Sequence, residues 1–175
     1  MRRATAFLAL VLTAAAARLG SAQGTTAGIA VDAVVINTGM TITTLRNLSF
    51  GTVIRGVATT VGPAAATAGE WQVTGSANAF ATINFTLPTV LTNIQALPGS
   101  TMPITFSATS ARWRRATNNP VGATTFNPSV GVTNARFGPP ANPNLYIWIG
   151  GTVTPAATAK PGIYTGIIIV SIFYT

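Results

Sequence analysis

The chain has no cysteine and no histidine, and its 175 residues include only two acidic side chains, Asp32 and Glu70. Each absence removes a class of chemistry. Without cysteine there is no disulfide scaffold, no thiol nucleophile and no thiolate metal site. Without histidine the commonest general base and the commonest metal ligand are missing. A glycosidase needs two carboxyl groups across one bond. Nothing in the sequence brings Asp32 and Glu70 together, and each reads as a solvated residue at a strand end. Lys160 precedes Pro161 and reads as a turn residue, and Gly150-Gly151 reads as a bulge or bend rather than a phosphate loop. The expectation is a protein that is not an enzyme, with no cofactor and no metal.

Charge is scarce as well. Charged residues make up 7% of the chain, against about a quarter in ordinary globular proteins. Hydrophobic residues make up 48%, too many for a disordered chain. The exterior must therefore be built from Thr, Ser, Asn, Gly and Ala, which suits a surface packed against copies of itself.

The N-terminus reads as an export signal over residues 1–22. Arg2-Arg3 supplies a basic start, residues 6–17 an apolar stretch, and Gly20-Ser21-Ala22 small residues at the cleavage position. Retention as an uncleaved anchor is the alternative, disfavoured because Arg18 interrupts the apolar run. A mature chain starting near Gln23 keeps seven basic residues and two acidic ones, a net charge of +5. It contains no transmembrane span, and the expected location is secreted, on the bacterial cell surface.

After the leader no segment sustains helical apolar spacing, and short β-branched runs recur between Pro, Gly and Asn. Strands are expected over residues 29–36, 40–45, 48–54, 70–75, 79–87, 102–108 and 145–153. A long final strand is expected over residues 162–174. It is apolar on both faces, which predicts burial on both sides or cover by a partner. Left bare at a sheet edge it would invite aggregation. Residues 109–143 read as long loops or a hairpin with an exposed tip. Seven to nine short strands separated by turn signals predict an all-β sandwich.

The tip would display the one concentrated surface motif, Arg112-Trp113-Arg114-Arg115. Two readings stand. The motif could contact an anionic partner such as a glycan or lipid headgroup, with Trp113 stacking, or it could be a solvated tip with its Trp folded onto the sandwich. A single cluster without an extended basic face points away from nucleic acid.

Two stretches carry a resemblance. Leu48-Ser49-Phe50-Gly51-Thr52-Val53 with Val73-Thr74-Gly75, and Ile149-Gly150-Gly151-Thr152 with Lys160-Pro161-Gly162-Ile163-Tyr164-Thr165-Gly166, resemble the bacterial secreted domains known as DUF4402. That family is similar to the spore-coat-U-like and chaperone–usher pilin domains. Gly162, fourteenth from the end, and Tyr174, the penultimate residue, also match the pilin pattern. The missing cysteine pair and the Arg112-to-Arg115 region depart from it.

The resemblance implies an incomplete, immunoglobulin-like (pilin-like) β-sandwich over residues 39–175. Its groove lies beside the final strand, with Tyr164, Ile168, Val170, Ile172 and Tyr174 on the acceptor side. Residues 23–38 are then the donor candidate. Ile29, Val31, Ala33 and Val35 alternate, and Asn37-Thr38-Gly39 can act as a hinge. The donor either enters a neighbour, giving a homopolymer, or pairs in its own chain, giving a monomer. The partners implied are further copies of the chain, with a periplasmic chaperone and an outer-membrane usher. The alternative function is a monomeric adhesin that binds a glycan or an anionic surface through Arg112, Trp113, Arg114 and Arg115.

Overall fold

The computed structural model describes residues 39–95 and 100–175. The donor candidates Ile29, Val31, Ala33 and Val35, the expected strand over residues 29–36, and Asp32 lie outside the described residues. Among the described residues the chain is all β. Thirteen strands, numbered here in chain order, form three sheets in which every pairing is antiparallel, and no helix occurs. Among the described residues no helix is long and apolar enough to cross a membrane.

The first sheet runs, edge to edge, through β1 (Thr41–Arg46), β3 (Gly69–Thr74), β10 (Asn144–Ile149), β7 (Ala111–Arg115) and β8 (Thr124–Phe126). The second runs through β12 (Tyr164–Thr165), β5 (Val90–Asn93), β6 (Thr101–Thr105), β11 (Gly151–Val153) and β2 (Thr59–Val61). The third holds β13 (Ile169–Tyr174), β4 (Phe80–Thr86) and β9 (Val132–Arg136).

Period-2 alternation explains how the layers meet. On β10, Leu145, Ile147 and Ile149 point one way and are fully buried; on β3, Trp71 and Val73 do the same. They share one core with Ala81 and Ile83 of β4, Ala135 of β9, and Phe137. The first and third sheets thus pack face to face as a sandwich. A smaller core of Met102, Ile104 and Val153 lies under the second sheet, with Leu91, Phe106 and Tyr164 against it.

Several strands pass from one sheet to another. β10 runs into β11 through Gly150, whose N–H donates to the Ser110 carbonyl at 2.8 Å. A Cβ there would collide with the Val61 carbonyl, so only glycine fits. The expected strand over residues 145–153 is therefore two strands joined at the bend that Gly150-Gly151 suggested.

The final strand is divided in the same way, which corrects the expectation of one continuous element. β12 pairs with β5 (Tyr164 opposite Asn93) and β13 with β4 (Ile169 opposite Thr86 through Tyr174 opposite Ala81). The interruption at residues 166–168 faces the β4–β5 connection, where Pro88 has no N–H to continue a ladder. Nor is β13 buried on both faces. Val170, Ile172 and Tyr174 pack partly buried against the core, whereas Ile169 and Phe173 on the opposite face are 53% and 58% exposed.

One further expectation is overturned and another is narrowed. Residues 48–54 form no strand. Gly51 takes a φ of +64°, which breaks the extension, and the stretch is tied by the Ser49 N–H to the Thr67 carbonyl at 2.9 Å. Residues 109–143 are not a long loop: they hold the hairpin that was the other expectation, β7 paired with β8, and a further strand, β9. Replacing Ile147 by Ala in the centre of the core is expected to cost about 2–5 kcal/mol, read as a lower midpoint in denaturant unfolding with the slope unchanged.

Candidate functional site

An open cleft of about 1090 Å³ lies in the described structure. That is slightly above the usual range for small-molecule pockets (about 300–1,000 Å³). It lies between the stretch that follows β1, residues 46–55, and the passage into the final strands, residues 160–168. Its floor is apolar: Trp71, Leu91, Met102, Ile104 and Val153, with Tyr164 and Ile168. Two sheet edges reach its walls: Arg46 ends β1, the edge strand of the first sheet, and Tyr164 and Thr165 form β12, the edge strand of the second.

One wall is held by an ion pair. Arg46, at the end of β1, donates from Nη2 to Glu70 Oε2 at 2.6 Å and from Nε to the Ala68 carbonyl at 2.9 Å. Glu70 is 5% exposed, so it is not the solvated strand-end residue expected from the sequence. Cross-strand register explains its burial, because Glu70 lies opposite both Arg46 of β1 and Trp148 of β10. A buried carboxylate keeps its charge only with partners of this kind. Replacing Arg46 by Ala is expected to lower stability by about 1.5–3 kcal/mol in chemical denaturation, because Glu70 stays buried without its cation.

The other wall is fixed by Asn93, fully buried at the end of β5. Its Nδ2 donates to the Pro161 carbonyl at 3.3 Å, and its Oδ1 accepts from the Gln95 N–H at 2.9 Å. The Ile94 N–H donates to the Ile163 carbonyl at 3.0 Å, and Tyr164 Oη donates to the Lys160 carbonyl at 2.7 Å. Gly162 sits between them with φ +146°, and a Cβ there would meet the Asn93 side chain. Gly162→Ala is expected to cost about 1–3 kcal/mol from backbone strain alone, with melting temperature as the readout.

The groove residues expected from the sequence share one edge passage. Tyr164 and Ile168 line the cleft. Val170, Ile172 and Tyr174 continue along β13, half-turned to the core. Tyr174 Oη accepts from the Ser76 N–H at 2.8 Å, and its ring lies 5.7 Å from that of Phe137, so this end of the sandwich is closed.

The Arg112-to-Arg115 motif lies elsewhere and is not at a loop tip. It forms most of β7, between β10 and β8 in the first sheet. Trp113 packs against the core. Arg112 donates to the Pro120 carbonyl at 3.1 Å, Arg114 to the carbonyls of Asn119 and Val121, and Arg115 to Asn78 Oδ1 at 3.0 Å. The motif and the cleft are separate features of the described structure.

The sequence reading did not single out Arg46, Leu91, Asn93, Met102 or Val153. Glu70 carried the one available signal, an acid between Gly69 and the apolar Trp71 in a strand with few charges. Among the described residues no cluster of His, Cys, Asp or Glu could hold a metal ion. Comparison of the chain with protein-family models, curated proteins and solved structures finds no match.

Proposed function

We propose that the chain is a structural subunit of an extracellular fibre or surface layer, joined to its neighbours by strand addition. Residues 23–38 of one subunit would enter the cleft and lie along the exposed edge of the next. The observation that supports this reading is the coincidence of an open apolar cleft with two edge strands, β1 and β12. An unpaired edge beside an apolar floor is the surface that an added strand completes. The immunoglobulin-like, pilin-like character suggested by the sequence belongs to the same proposal.

The energetics suffice for a durable joint. Burying three branched side chains of the donor contributes about 5–9 kcal/mol before ordering costs, and new ladder hydrogen bonds add to it. Such contacts are heterologous and do not close on themselves, so they propagate into a filament or layer. Copies of the chain are the partners, delivered by a chaperone and an usher if the family resemblance extends to secretion. The adhesin reading has less support, because the four residues it relies on lie within a strand and their guanidinium groups are engaged by Pro120, Asn119, Val121 and Asn78.

The test is assembly. The chain starting at Gln23 should form polymers visible by electron microscopy and sedimentation velocity. Removal of residues 23–38 should give a monomer that binds a peptide of residues 25–36. A chain that stays monomeric at high concentration with residues 23–38 present would exclude the proposal.

A further inference from the structure

The cleft is apolar at its floor and cationic at its rim. Arg46, Arg55 and Lys160 line it, and no acidic residue does. Arg46 is neutralised by Glu70. Glu70 is the only acidic side chain among the described residues. Arg55 and Lys160, both exposed, therefore have no side-chain carboxylate there to pair with. The second acid of the whole chain is Asp32, and residues 23–38 contain no basic residue. The one unassigned carboxylate of the protein thus falls within the segment proposed to fill a cleft with two unassigned cations.

Side-chain alternation places that carboxylate. A strand that turns Ile29, Val31, Ala33 and Val35 to the apolar floor turns Asp32 to the mouth, where Arg55 and Lys160 lie. Its outward neighbours Ala30 and Val34 are uncharged. Shape alone specifies the position of such a strand weakly. A slip of two residues keeps the same face inward, and Ile, Val and Ala are near enough in character to tolerate it. A single charge does not tolerate the slip, because it leaves its partners by about 7 Å.

We infer that Asp32 is the register-setting residue of the inter-subunit joint, pairing with Arg55 and Lys160 at the mouth of the neighbour's cleft. The inference rests on the strand-addition reading above and adds to it a charge code for partner recognition. An exposed pair of this kind contributes little affinity; its effect is on encounter rate and on rejection of wrong registers and partners.

The experiment uses the chain from Gln23 onward and follows the rate of polymer formation by light scattering and electron microscopy at low and high salt. Asp32→Lys is expected to slow assembly ~10-fold or more, through like-charge repulsion at the mouth. Arg55→Glu with Lys160→Glu should do the same by repelling the native Asp32, with thermal melting confirming that the sandwich is intact. Combining all three substitutions in one chain should restore assembly. Mixing the two slowed variants should restore the wild-type rate by copolymerisation, since each donor then meets a rim of opposite sign. Asp32→Asn should assemble with little salt dependence. If the wild type polymerises and Asp32→Lys does so at the same rate and with the same salt response, the charge pairing is overturned and strand addition stands. Failure of the triple variant to recover, with its melting temperature retained, also overturns the pairing. A wild-type chain that never polymerises removes both.

Discussion

The fold depends on one strand, β10. It pairs with β3 on one side and β7 on the other, so the first sheet falls into two pieces without it. Its inward residues Leu145, Ile147 and Ile149 form the middle of the core shared with the third sheet. Through Gly150 the same passage continues as β11, which pairs with β6 and β2. A protein with no disulfide must draw its stability from such burial and from its ladders, and here both converge on ten consecutive positions, 144–153, with the bend at Gly150.

From this centre the structure grows outward to edges of differing character. At the β8 side, the first sheet ends on a short strand of three residues, which limits the ladder it can offer to another chain. At the β1 side it ends on a six-residue strand whose inward Ile42 is only partly covered. Across the cleft the C-terminal passage is likewise an edge, with Ile163, Ile167 and Ile169 exposed along it. Exposed apolar residues are ordinary when scattered, but here three lie along one edge. The described residues are basic overall, and of the three cations lining the cleft only Arg46 has a carboxylate beside it.

Much of the fold was legible because the alternation of β4 and β6 is strong and β3 carries Trp71 and Val73 on one face. Ala81, Ile83 and Phe85 on one face, and Trp71 with Val73, are found where period-2 spacing places them. The region 109–143 was not legible, for two physical reasons. In β7 the outward positions are arginines, whose charge reads as a loop although their stems cover a sheet face. In β9 the buried position is Ala135, too small to mark a strand. The cleft was half legible. Tyr164 and Ile168 stood out as members of an apolar run, but Arg46, Asn93 and Glu70 act through pairings between positions far apart in sequence. The double apolar face of the final strand was visible in the sequence, although the loss of cover on one side was not.

The antiparallel ladder between β13 and β4 spans six residue pairs, from Ile169 opposite Thr86 to Tyr174 opposite Ala81. Tension drawn along β13 loads these pairings together, as a lap joint in shear, instead of opening them one by one as a zip. The interruption at residues 166–168 separates that joint from the short β12 pairing, so load on β13 is carried by its own ladder and not by that of β12. In a chain with few charges and no disulfide, resistance at this end thus rests on backbone hydrogen bonds acting in parallel.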